Sequence, residues 1–337
     1  MQNKKMARSL TSGLLVLCLL TFGTARAAAR ELVPLGIPTG VRMTAAGVVI
    51  SAMNPVDSPA GAVCPGEQAG LQAGDILQTA AGVSLTSSDD LARIVRQSGG
   101  KPIKVTGLRG ETQMEAAVQP VRSRAGGTYQ IGLLVRDSMA GIGTLTYVDP
   151  GTGAFGALGH PVSDIDSGAL LPLSDGSIVP AAVVGVVAGE AGTPGELIGT
   201  YEFSRELGRL ETNTACGIFG TLSDRSLYDA ADAVQTAGEA EIHVGQAEIL
   251  TCVSGSRPVR YQITVEKVQP NASDGRSMEI RVTDPALLKQ TGGIVPGMSG
   301  SPILQDGKLI GAVTHVLVNN PARGFAVSID KMLEKIA

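Results

Sequence analysis

The sequence predicts a mostly β chain of two β-rich domains behind a short export segment. Three observations carry that prediction. Gly 44 and Pro 18 are spread among many short Val/Ile/Leu runs, the composition of turn-rich β structure. At 337 residues the chain is long enough to bury two separate cores. A basic and then apolar N-terminus precedes the first strand-like run.

At that N-terminus, Lys4, Lys5 and Arg8 lead into an apolar run from Leu10 to Phe22, and Ala25-Arg26-Ala27 offers a small-x-small cleavage site. Residues 1–27 therefore have the layout of a secretory signal, and export is expected. The run is short for a membrane span, and an uncleaved anchor is the other reading of it. The segment holds four basic residues and no acid, so its removal takes the formal charge from −4 to −8. An acidic chain with 3% aromatics and no Trp lacks both the charge and the stacking surfaces that nucleic acid requires. Cys64, Cys216 and Cys252 remain after it. An odd count allows one internal disulfide, with Cys216–Cys252 favoured because both lie in the second domain, and free buried thiols fit equally well. No Cys/His spacing suggests a metal, and no cofactor is expected.

Residues 32–120 form a small β-rich module. Val41-Arg42-Met43 and Gly47–Ser51 are strand candidates, and Gly74-Asp75-Ile76-Leu77 makes a corner and another strand. Ser87-Ser88-Asp89-Asp90 caps a helix whose apolar face is Leu91, Ile94 and Val95. Ile103–Leu108 and Met114–Val118 close the module around Arg109-Gly110. With Ala69-Gly70-Leu71 ahead of the Gly-Asp corner, the module resembles a PDZ domain. That resemblance implies an extended peptide bound as an added strand. The segment Gly36 to Met43 would receive it, with Gly36, Ile37, Gly40 and Val41 as contacts.

The polar stretch Val121 to Thr128 marks a boundary, and 121–337 is the second domain. Ile131–Ser138 and Gly141–Val148 are expected strands. Phe155–Val162 is a further strand whose end carries His160, hemmed in by Gly159 and Pro161. A general base needs a fixed angle to its nucleophile, and this strand end supplies the rigidity. His243 and His315 are the competing histidines. From Ile178 to Leu250 short apolar runs alternate with Gly and Pro; Tyr261–Val268 and Met278–Val282 pair plausibly, and Ile329–Ile336 closes the chain as a helix.

The chemistry concentrates in Gly297-Met298-Ser299-Gly300-Ser301-Pro302. A serine hydroxyl is a weak nucleophile that needs a base and an oxyanion site. Gly297 leaves the loop free to aim the Gly297 and Ser299 N–H groups at one point, and Gly300 clears the approach of a carbonyl. Ser301 is the alternative nucleophile. The pattern resembles the nucleophile loop of chymotrypsin-like peptidases, and His160, Asp284 and Ser299 follow in that group's order. Asp164, Asp166 and Asp224 are other carboxylates able to orient an imidazole.

Several ordered motifs are more specific. Arg136-Asp137-Ser138, Gly141–Thr146, Gly156–His160, Arg281-Val282-Thr283-Asp284-Pro285, Gly297–Ile303 and Gly311–Val316 together resemble the stage IV sporulation protein B (SpoIVB) peptidase family. The resemblance implies a mostly β architecture, with an N-terminal PDZ domain followed by a chymotrypsin-like double β-barrel serine peptidase. It implies Ser299 as nucleophile, His160 as base, Asp284 as orienter, and an oxyanion hole of Gly297 and Ser299. It also implies an enzyme at the forespore membrane or in the intermembrane space that cleaves itself and a membrane-anchored regulator of an intramembrane protease. Such a cut would act in signalling between compartments during endospore formation. An envelope quality-control protease and an inert PDZ scaffold are the rival readings.

Overall fold

The structure, a computed structural model, describes residues 30–270, 272 and 275–334. The export segment lies outside the described residues. The architecture starts from one long strand, β1 (Glu31–Met53). Its side chains are buried over most of its length because both its edges and both its faces are covered.

The far end of β1 belongs to the PDZ module. Val48 and Val49 pair with Leu77 and Ile76 of β2 (Ile76–Ala80). Helix α1 (Ser88–Gln97) follows, where Ser87 caps by accepting from the Asp90 N–H and Leu91, Ile94 and Val95 face inward. Strands β3 (Ile103–Arg109) and β4 (Thr112–Val118) complete the layer, with β3 beside β2. Val48, Ile50, Leu77, Val105 and Val118 are fully buried at its centre.

The near end of β1 belongs to the peptidase. Strand β5 (Leu133–Val148) runs antiparallel to β1 from Val33↔Val148 to Met53↔Leu133. Next come β6 (Ala154–Ala157), β7 (Leu173–Val187), β8 (Glu196–Tyr201), β9 (Gly208–Thr214) and β10 (Gly217–Leu222). The pairings β1-β5-β6-β10-β9-β7 return to β1 through Thr39–Ala45, so six strands close a ring. A second closed barrel follows, from β11 (Gly245–Thr251), β12 (Val259–Val268) and β13 (Met278–Val282). Helix α2 (Pro285–Thr291) then leads to β14 (Pro302–Gln305), β15 (Lys308–Leu317) and β16 (Asn320–Ser328), and a short helix, Ile329–Leu333, follows. Each ring closes on itself, while β8 pairs only with β7 at the end of the strand order.

The expected mostly β plan, PDZ module first and double barrel second, is the one found. Two expectations are corrected. Gly36, Ile37, Gly40 and Val41 do not form a free peptide-binding edge. Ile37, Gly40 and Val41 pair with Leu145, Ile142 and Gly141 of β5, and Gly40 and Val41 pair with Val179 and Ile178 of β7 on the other side. Gly36 packs so closely on Leu250 that an added Cβ would lie 2.5 Å from its carbonyl oxygen. The favoured Cys216–Cys252 disulfide does not form either: Cys64, Cys216 and Cys252 are all buried thiols outside any disulfide.

Candidate active site

Ser299 and His160 reach the same cleft from opposite barrels. The loop of Ser299 joins α2 to β14 in the second barrel, and His160 follows β6 of the first. Across the seam, the Thr144 N–H of β5 donates to the Ser299 carbonyl at 3.1 Å; within the second barrel, the Gly300 N–H donates to the Val313 carbonyl at 2.8 Å. The Thr144 hydroxyl donates to the Gly297 carbonyl at 2.9 Å. Gly300 sits where the seam is tightest. With φ at +94°, an added Cβ would come within 2.2 Å of the Thr144 carbonyl oxygen and 2.5 Å of the Leu158 nitrogen.

The loop turns its polar groups in a way that suits an oxyanion. The Gly297 and Ser299 carbonyls are held by Thr144, while neither of their N–H groups has a hydrogen-bond partner among the described residues. The Ser299 hydroxyl, half-buried, donates to the Thr314 carbonyl at 2.7 Å. Ser301, by contrast, is fully buried, and its hydroxyl bonds Met298 O at 2.6 Å and Thr251 Oγ1 at 2.8 Å.

His160 Nδ1 lies 2.8 Å from the Pro161 carbonyl, so that nitrogen carries the proton and Nε2 is left to accept one. Burial pushes the imidazole below its ordinary pKa, and the Pro161 carbonyl opposes this only in part. The neutral imidazole is the favoured form. The ring of His315, on β15, lies 5.2 Å from that of His160.

The expected orienting carboxylate is not beside His160. Asp284 instead caps α2, its Oδ1 accepting from the Ala286 and Leu287 N–H groups at 2.9 and 3.1 Å. A carboxylate directly before Pro285 is a strong N-cap, and the cap has claimed it. The other carboxylates are also engaged. Asp166 pairs with Arg136 at 2.6 Å, and Asp224 pairs with Arg205 and caps a 3₁₀ turn. Asp164 is buried, which favours its neutral form. Hydrogen bonds from Ser167 and Ser51 and the charge of Arg136 outweigh that and hold its pKa below the usual value.

Asn213 was not singled out from sequence, yet it holds the His160 loop. Its Oδ1 accepts from the Val162 N–H at 2.9 Å, and its Nδ2 donates to the Val162 and Leu171 carbonyls at 2.7 and 2.9 Å. A lone Asn in a strand gives no sequence signal for this. His315, a rival of His160 in the sequence, is its neighbour in the fold. The other competitor, His243, pairs with Asp306 at 2.8 Å on the exposed surface.

The cleft is a cavity of about 590 Å³ that also takes in Met139, Ile142, Ile294, Val295, Val316 and Val318. Its ionisable groups are His160, His315 and the fully engaged Asp164.

A family model described as SpoIVB peptidase S55 matches residues 127–333, more than half of the chain, and a PDZ domain model matches residues 58–109. The chain belongs to the SpoIVB peptidase S55 family. It is thus a serine peptidase with a PDZ domain. No curated protein matches it. Among solved structures it is similar to the PDZ domain of the SdrC-like protein from Listeria monocytogenes. That match is 22% identical, with a TM-score of 0.23, covering 27% of this chain and 90% of that one. It is also similar to the HtrA-type protease AlgW with a decapeptide, at 13% identity and a TM-score of 0.34. There it covers 60% of this chain and about half, 52%, of that one.

Proposed function

We propose that the chain is an exported endopeptidase that cuts a membrane-anchored regulator of an intramembrane protease, and cuts itself, in signalling between compartments during endospore formation. Family membership and the export-like N-terminus support the setting. One observation supports the chemistry above all: Ser299 and His160 share an apolar cleft beside two N–H groups that have no partner among the described residues.

In this reading, His160 Nε2 takes the Ser299 proton as Oγ attacks the scissile carbonyl. The oxyanion accepts from the Gly297 and Ser299 N–H groups. His160 then gives its proton to the leaving amine; water, losing a proton to His160, attacks the acyl-enzyme, and His160 returns that proton to Ser299 Oγ as the new carboxylate leaves. Ile294, Val295 and Val316 suit an apolar side chain beside the scissile bond, since the cleft offers no charge free to pair with Lys or Asp.

The test compares the full chain with Ser299→Ala and Ser301→Ala, on itself and on the extracellular part of a membrane-anchored regulator. Ser299→Ala should lose activity by about 10⁴-fold or more with its melt unchanged. Ser301→Ala should keep substantial activity while losing roughly 1–2 kcal/mol of stability, because it abandons two buried hydrogen bonds. An active Ser299→Ala enzyme would remove the assignment. Peptides with an aliphatic residue before the scissile bond should be cut about tenfold or more faster than the same peptides with Lys there.

A further inference from the structure

The base and the nucleophile divide the cleft between them. In the reading above, the acyl half of the substrate stays on Ser299 while His160 hands its proton to the amine half. A general acid has to lie within hydrogen-bond reach of the nitrogen that leaves. The chain that follows the scissile bond therefore departs past His160, along the segment that continues from that ring.

That segment is a tight hairpin. Every residue from His160 to Ile165 lines the cleft. The chain returns through the Ser163↔Leu170 bridge, and the Leu171 N–H donates to the Val162 carbonyl at 3.0 Å. Asp164, a buried carboxylate, fixes the turn with one oxygen and anchors it with the other. Its Oδ1 accepts from the Ser167 N–H and hydroxyl at 2.8 and 2.7 Å. Its Oδ2 accepts from the Ser51 hydroxyl of β1 at 2.7 Å and from Arg136 Nη1 of β5 at 3.3 Å. The other arm of Arg136 donates to Asp166 Oδ2 at 2.6 Å. One guanidinium thus grips the carboxylates on both sides of Ile165.

Ile165 has the opposite character from these neighbours. It is 78% exposed, more than any other large apolar side chain among the described residues. A single exposed aliphatic residue is ordinary on a surface. This one is held at the rim of the cleft, on a wall that continues through Met139 and Val162. The opposite wall, Ile294, Val295 and Val316, comes from the second barrel. The tip carries two carboxylates against one guanidinium, so it repels an acidic side chain. Ile165 lies at most ~16 Å from His160 along an extended arm, so it meets a substrate side chain within about five residues of the cut.

We propose that Ile165, with Met139 and Val162, forms a subsite for an apolar side chain following the scissile bond, and that Arg136 is the positioning residue that keeps it in place. The inference rests on the peptidase reading above and adds what the enzyme recognises beyond the cut. The two walls of the cleft then read the two sides of one bond: the second barrel reads the side chain before it, and the base hairpin reads a side chain after it.

The test keeps the residues before the scissile bond constant and varies those after it. A parent peptide carries Ser at all of the first five positions after the bond, and Leu or Asp replaces each Ser in turn. With the full chain, Leu at one of these positions should raise kcat/KM about tenfold over the parent, and Asp there should lower it. Ile165→Ser, at an exposed site where folding is not at stake, should cut the Leu gain to about twofold or less. The preference for an aliphatic residue before the bond should persist in that variant. Arg136→Gln should shrink the Leu gain as well, although Arg136 is not part of the cleft lining. A purely structural role would slow all the peptides by one factor and leave the ratio unmoved. A Leu gain absent at every position, or unchanged in Ile165→Ser, would overturn the subsite. A gain unchanged in Arg136→Gln would overturn the positioning role. If the enzyme cuts none of the peptides, fluorescence anisotropy on the full chain carrying Ser299→Ala decides. Tighter binding of a Leu peptide than of the parent, lost in Ile165→Ser, would keep the subsite while the peptidase reading fails. Equal or absent binding would overturn the subsite.

Discussion

At the scale of single residues, the burial of His160 has a consequence for pH. Desolvation disfavours the imidazolium, so the folded pKa lies below the ordinary 6.5. The neutral form is the base. Activity should therefore be full at neutral pH and fall only as the pH drops through the depressed value, and kcat/KM on a short peptide should show its acidic midpoint below 6.5. A midpoint at or above 7 would mean that a nearby negative charge raises His160, as an orienting carboxylate does. Asp284 can be tested in the same terms. As a helix cap, its replacement by Ala should cost about 1 kcal/mol in a denaturant melt, while Asn, an equally good cap, should cost little. An Asp284→Asn enzyme with an unchanged melt and activity down by about 10⁴ would return the orienting role to that carboxylate.

At the scale of the element, the Gly293–Ser301 loop is fixed by what it touches, chiefly Thr144 and Val313. Gly300→Ala should be nearly inactive and less stable by at least about 1–3 kcal/mol, from the positive φ alone, with the clash against Thr144 adding to it. A wild-type melt and wild-type rate for this variant would show that the seam is looser than its contacts. The His160 loop is held by its own backbone bonds and by the Asn213 side chain. Asn213→Ala leaves the Val162 N–H without its acceptor, which costs roughly 1–3 kcal/mol if it stays buried. The variant should lose kcat more than it raises KM, because the base is displaced while the Ile294–Val318 side of the cleft is untouched. Single-turnover and steady-state kinetics separate the two.

At the scale of the whole molecule, β1 and β5 make the PDZ module and the first barrel one continuous sheet. A boundary at Val121 divides the chain in sequence but not in structure. Residues 121–337 alone lack β1, which closes the first barrel between β5 and β7. That fragment should show no cooperative thermal transition, whereas residues 30–337 should melt in a single step. Two separate transitions in the longer chain would mean that the shared strands transmit little between the two parts.

The sequence by itself determined what local chemistry determines. The Gly-Met-Ser-Gly loop is legible because a nucleophile needs small neighbours whatever the fold around it. The capped helix at Ser87–Asp90 and the strand ending at His160 are legible because caps, glycines and prolines act within a few residues. Whether two separated residues meet, and which edge of a strand is free, are decided by pairing partners far along the chain. Gly36–Val41 has the pattern of a peptide-binding strand, and only the return of β5 and β7 to its two sides closes it. Asp284 lies at the right place in the chemical order, but its nearest unsatisfied donors are the N–H groups of its own helix. Asn213 is silent in sequence because its partners, Val162 and Leu171, are some 40 to 50 residues away. Local spacing encodes the parts, and the tertiary structure alone chooses their partners, because hydrogen bonds and burial are settled by proximity in space.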